Sequence, residues 1–145
     1  MNQRGFATLE VILMVMVIGI LASIAVPRFT SVTTAANTAK IQSDLSTIDT
    51  AIAIYTMEKG TTTAPTLGAN GTLSDYLQDI ANIKPPTGNA YINGESKPIS
   101  DGEYKIENKG TDGKTEYRAT LTVGGKACTA GEFTNKAKST GSSGN

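Results

Sequence analysis

From Val11 to Val26 the chain carries no charge, and Glu10 is the only ionisable side chain between Phe6 and Val26. About 20 apolar residues at 1.5 Å each cross a hydrocarbon core of about 30 Å. Inside lipid the backbone must satisfy its own polar groups, so a spanning stretch here is a helix. Glu10 is out of place in it. An acid at the centre of a spanning helix costs about 2.5–3.5 kcal/mol on insertion scales, so a compensating cation near the helix start is expected. Arg4 precedes the run and Arg28 follows it, which leaves positive-inside counting ambiguous. Cutting between Gly5 and Phe6 would create the missing cation, a new α-amine one turn from Glu10.

Three readings compete for this segment. An ordinary secretory signal has a basic start, an apolar middle and small residues such as Ser23 and Ala25, with a cut after Ala25. A plain single-span anchor needs neither Gly5 nor Glu10. Neither explains an acid set just before the apolar run. Gly5-Phe6-Ala7-Thr8-Leu9-Glu10 followed by that run resembles the class III signal of type IV pilins and type II secretion pseudopilins. Ala7 stands where threonine is more frequent in that family, while Pro27 and Gly19 fall at its frequent helix-weakening positions. The resemblance is close over about the first 30 residues, and architectural beyond them.

The resemblance implies the following roles. A prepilin peptidase cuts after Gly5 on the cytoplasmic side and methylates Phe6. Glu10, then fifth in the mature chain, pairs with the N-terminal amine of a neighbouring subunit and so sets the register of assembly. In the first turn it would also complement its own helix dipole, by about 0.3–1 kcal/mol. Pro27 removes an amide donor and crowds the carbonyl near Ser23, and Gly19 costs about 1 kcal/mol of helix stability relative to alanine. The stretch between them is expected either to kink mildly or to lose its helical form in a filament.

Past the span, Ile41, Leu45, Ile48, Ile52 and Tyr55 recur at steps of four, three, four and three, one apolar stripe on a helix that Gly60 ends. Lys40, Asp44 and Asp49 lie off the stripe. Thr72-Leu73-Ser74-Asp75 reads as a capping box opening a short helix with Leu73, Tyr76, Leu77 and Ile80 on one face. Lys84-Pro85-Pro86-Thr87-Gly88-Asn89 forces a loop, and Pro86 to Tyr91 loosely resembles a loop of major pseudopilins and small pilins. Tyr104 and Ile106, then Tyr117, Ala119, Leu121 and Val123, alternate as strands, with Lys126–Phe133 as a third strand of a meander. Reversals fall at Lys109–Gly113 and at Gly124-Gly125. A sheet this small needs a cover, and the helical stripe supplies one.

The expected fold is therefore α+β and pilin-like, a long N-terminal helix with an apolar membrane-spanning half and a second half packed on a small antiparallel sheet. Its parts are a leader (1–5), a transmembrane and assembly segment (6–29), a head (30–133) and a flexible polar tail (134–145). Thirteen basic and 13 acidic residues cancel, so nothing recommends a nucleic-acid partner. The absence of histidine removes the commonest general base and the His-containing zinc sites. Cys128 is the only cysteine, read as a small buried thiol. Asp101, Glu103, Glu107, Asp112 and Glu116 suggest calcium, but they are interleaved with lysines and read as a solvated face. No catalytic residue, metal or cofactor is expected. The resemblance implies a structural subunit, in the major role, of a type IV pilus, with a type II secretion pseudopilin as alternative. A secreted or membrane-tethered binding domain remains the reading from another class. Implied partners are further copies of the chain in a helical homopolymer, the cytoplasmic membrane before assembly, the prepilin peptidase, and a platform protein with its ATPase. The finished filament would be an extracellular pilus or a periplasmic pseudopilus.

Overall fold

The structure, a computed structural model, describes residues 3–137. It opens with helix α1 (Gln3–Lys59) and continues through five short strands, β1 (Asn89–Ile92), β2 (Glu95–Pro98), β3 (Lys105–Asn108), β4 (Tyr117–Val123) and β5 (Lys126–Cys128). The chain divides into two units, an arm, Met1–Thr33, and a head, Thr34–Asn145. The order is α+β and pilin-like.

In the arm, α1 is apolar on every side. Leu9, Leu13, Ile18 and Leu21 are each more than half exposed. A helix of that kind belongs among lipid tails or other helices, since one apolar stripe suffices for packing on a single core. It is long and apolar enough to cross a membrane. Helical backbone continues through Gly19 and Pro27.

In the head the same helix turns amphipathic. Ile41, Leu45, Ile48, Ile52 and Tyr55 are all buried, together with Ala51 one position off the run. Gly60 stops the helix at a φ of 79°, its amide donating to the Thr56 carbonyl at 2.9 Å. Glycine reaches this left-handed conformation without a Cβ penalty. The stripe meets Ala119, Leu121 and Val123 of β4, with Leu73, Ile92, Tyr104, Cys128 and Phe133 closing the core.

The expected helix after Thr72 does not form. Residues 72–79 make successive turns, and only Ile80–Asn82 winds into a single 3-10 turn. The cap is diverted. Thr72 Oγ1 accepts from the Thr66 amide at 2.8 Å, while the Thr72 amide donates to Thr66 Oγ1 at 2.9 Å. Thr72 Oγ1 is thus engaged by Thr66 rather than by the Asp75 amide that a capping box would use. Asp79 then enters the left-handed region at φ 57°, which breaks any continuing helix. Leu73 and Leu77 are nevertheless buried, so the apolar spacing survives as packed turns.

The expected three-strand meander forms, and the hairpin beside it is an addition. β3, β4 and β5 pair antiparallel in that order, and a separate hairpin joins β1 to β2. The hairpin turns at Asn93-Gly94, both with positive φ (48° and 89°), as a type I′ turn requires. An Ile99–Val123 bridge and the Gly124 amide, donating to the Pro98 carbonyl at 3.1 Å, tie the hairpin to the larger sheet. β5 is shorter than expected: after Cys128 the chain makes a 3-10 turn at Ala130–Glu132, capped by Thr129 and Glu132. Of the tail expected over 134–145, residues 138–145 lie outside the described residues. The Thr134 carbonyl accepts from the Gly94 amide at 2.9 Å.

Candidate assembly site

The candidate site is the arm. Gly5 lies inside α1 with open space where a Cβ would be, and Phe6 follows it, 67% exposed. Glu10 comes one helical turn after Phe6, at the four-residue spacing that places two side chains on one edge. It heads an open apolar groove formed by Leu13, Met14, Val17 and Ile18, the positions three, four, seven and eight residues on. That spacing is one face of a helix, so the acid and the groove form a single surface. Among the described residues Glu10 has no ion pair, the nearest basic residues in sequence being Arg4 and Arg28.

The hydroxyls of the arm satisfy themselves. Thr8 Oγ1 donates to the Arg4 carbonyl at 2.9 Å, Ser23 Oγ to Ile20 at 2.7 Å and Ser31 Oγ to Arg28 at 2.9 Å. Such back-bonding keeps a hydroxyl tolerable in apolar surroundings. Carboxylates cannot do this, because they accept only. Gly19, like Gly5, has open space around it. Pro27 brings no amide hydrogen, so the Ser23 carbonyl lacks its usual donor four residues on. The arm thus carries an acid at one end and a weakened stretch at the other, on one helix.

In the head, polar residues flanking the stripe bind the sheet to α1, and the periodicity gave no hint of it. Asp49 accepts from the Ala119 amide at 2.7 Å, past the end of the β5 pairing, and sits 3.5 Å from Arg118. Asp44 accepts from Tyr104 Oη at 2.7 Å. Burial, followed by this bond to an acid, pushes the Tyr104 phenol well above its ordinary range. Asn37 Nδ2 donates to the Thr87 and Asn89 carbonyls, each at 3.0 Å, which holds the loop after Pro86 against the helix. Thr38 Oγ1 accepts from the Tyr91 amide of β1 at 2.8 Å. The available signal was the composition of the stripe's flanks, where short polar side chains alternate with its apolar residues.

Three of the five acids that suggested calcium face cations of the chain itself. Asp101 pairs with Lys105 at 2.9 Å, Glu107 with Lys109 at 2.6 Å and Glu116 with Arg118 at 3.3 Å. The Cys128 thiol is buried, and burial raises its pKa, which disfavours the reactive thiolate.

No family model matches the chain, and no solved structure matches it. Known proteins do. The type II secretion system core protein G of Escherichia coli is 29% identical over 127 residues, 78% of this chain and 85% of that protein. The protein of the same name from Klebsiella michiganensis is 25% identical over 116 residues, 79% of this chain and 80% of that protein. The type IV narrow pilus major component PilA5 of Thermus thermophilus is 38% identical over 71 residues, 48% of this chain and 61% of that protein. Pilus and secretion relatives carry sequence similar to a chain whose apolar arm leads into a small α+β head. The chain is thus similar to type IV pilins and to type II secretion pseudopilins.

Proposed function

We propose that the chain is the main building block of a type IV pilus. The precursor sits in the cytoplasmic membrane through residues 6–29. A prepilin peptidase removes residues 1–5 and methylates Phe6. The mature subunit then exchanges lipid for the arms of its neighbours, while the heads (30–133) and tails (134–145) line the outside. The observation that carries this reading is an arm apolar on all sides whose single carboxylate has no ion pair among the described residues. A buried unpaired acid costs several kcal/mol, and the α-amine of the next copy removes that cost. Lipid and protein neighbours are about equally apolar, so the acid–amine pair, rather than hydrophobicity, fixes the register. Gly19 and Pro27 let the arm unwind locally as copies pack. The chain offers no nucleotide-binding motif, so extraction from the membrane is the work of a platform protein and its ATPase.

A secretion pseudopilus is the second reading, favoured by alignments with core protein G that run through most of the chain. Two measurements test the proposal. Mass spectrometry of the mature N-terminus should find methylated Phe6. Intact Met1 or a start at Val26 would replace the filament with a tethered or exported domain. Deleting the chain should remove surface filaments seen by immunogold labelling of the head, whereas lost protein secretion with surface filaments intact would favour the pseudopilus.

A further inference from the structure

A hydroxyl on a helix in apolar surroundings has a ready partner in the carbonyl three or four residues back. Thr8 uses the one four back, Arg4, at 2.9 Å. Its alternative, three back, is Gly5. Both acceptors belong to residues 1–5, and Thr8 is the only hydroxyl-bearing residue between Phe6 and Ala22. Ser23, by contrast, donates to Ile20, which stays with the chain. Hydrolysis of the Gly5–Phe6 amide consumes one water, leaves a carboxylate on Gly5 and an amine on Phe6, and carries the Arg4 and Gly5 carbonyls away. Thr8 then keeps its donor and loses both acceptors. Position 8 is the last for which this holds, because the carbonyl three residues behind position 9 is that of Phe6.

The position of Thr8 on the helix indicates what replaces them. Glu10 lies two positions further on, about 200° around the axis and about 3 Å along it. Donor and carboxylate therefore lie on nearly opposite sides of the arm at nearly the same height. They cannot meet within one helix. Copies stacked side by side in one direction bring the donor side of each to the acid side of the next, a heterologous contact of the kind that builds open helical polymers. We propose that Thr8 Oγ1, unmasked by leader removal, donates to the Glu10 carboxylate of the adjoining copy, alongside the Phe6 amine. This rests on the cleavage and Glu10 pairing proposed above. Leader removal then both creates a cation and releases a donor, so an uncut subunit is short of two contacts at once.

The test compares Thr8→Val, Thr8→Ser and Glu10→Ala in the full-length chain expressed in its own cells. The readouts are N-terminal mass, membrane-bound amount and sheared filament yield. Thr8→Val should be cut, methylated and inserted like the native chain, with filament yield lower by about ten-fold, the scale of one hydrogen bond to a charged group. Thr8→Ser should restore it. Native yield from Thr8→Val, with Glu10→Ala defective, overturns the Thr8 contact alone. Native yield from Glu10→Ala overturns the pairing beneath it, and the Thr8 acceptor with it. Uncut Thr8→Val would also overturn the inference, by moving the role of the hydroxyl to the peptidase.

Discussion

Ile18 and Ile48 sit on the same helix, one in the arm and one in the head, and they differ in almost everything else. Ile18 is 64% exposed and Ile48 is fully buried. The head half of α1 places its apolar residues on one stripe, so a sheet of the same chain can cover them. The arm half spreads them around the whole circumference, and no single sheet could cover that surface. The two halves thus differ in what covers their apolar surface: the sheet of the same chain covers the head half, and among the described residues nothing covers the arm half. Polar groups follow the same division. Asp49 finds a partner on β4 and Asp44 one in Tyr104, just before β3, whereas Glu10 has no ion pair among the described residues.

Removing the arm should have the largest effect. A chain starting at Thr34 should keep the circular dichroism and cooperative melting of the head while losing all polymer and membrane association by sedimentation. A head that fails to fold alone would erase the division. Next comes one substitution made on both sides of it. Ile48→Ala should destabilise the head by about 2–5 kcal/mol, because it opens a cavity in a fully packed core. Ile18→Ala should leave the urea midpoint of the head within experimental scatter. Equal losses would mean that the arm contributes to the core after all.

Smaller effects test the polar attachments. Asp49→Ala strands the Ala119 amide and should cost about 1–3 kcal/mol in urea unfolding. Asp49→Asn keeps an acceptor and should cost less. A negligible loss for Asp49→Ala would mean that water replaces the carboxylate. This contact shows where sequence reading stops. The arm was legible throughout, because its character depends on neighbours within a few residues. So were the Ile41–Tyr55 stripe, the Gly60 stop and the alternation of β4. Asp49 reads as a solvent-facing acid, since its partners lie about 70 positions away and leave no local pattern. The β1–β2 hairpin was hidden for another reason: Ala90 and Ile92 are its only buried positions, too few to announce a strand, although Asn93-Gly94 was a strong turn signal. The helix expected after Thr72 failed because Thr66 took the capping hydroxyl, a pairing that periodicity does not register. At the candidate site the Gly5-Phe6-Glu10 pattern is local and visible in the sequence, whereas the back-bond of Thr8 to Arg4 is visible only in the folded chain.

The smallest expected effect concerns the C-terminal clasp and pH. Glu132 accepts from Lys126 at 2.8 Å and from the Thr129 amide at 2.9 Å, and its own carbonyl accepts from the Asn93 amide at 3.0 Å, next to the hairpin turn. Burial alone would raise the Glu132 pKa, but Lys126 and the Thr129 donors outweigh it and hold the carboxyl below its ordinary range. A carboxyl whose pKa is lower folded than unfolded stabilises the fold fully above the unfolded value, and that contribution fades as pH falls through the folded one. Glu132→Gln should therefore be less stable than the native head at neutral pH, and the gap should close below about pH 4 as the native carboxyl takes up its proton. The remaining acids titrate in both proteins, so the difference between their urea midpoints isolates this one group. A gap of constant size across that range would show that Glu132 holds the turn by shape and hydrogen bonding, with its charge contributing nothing.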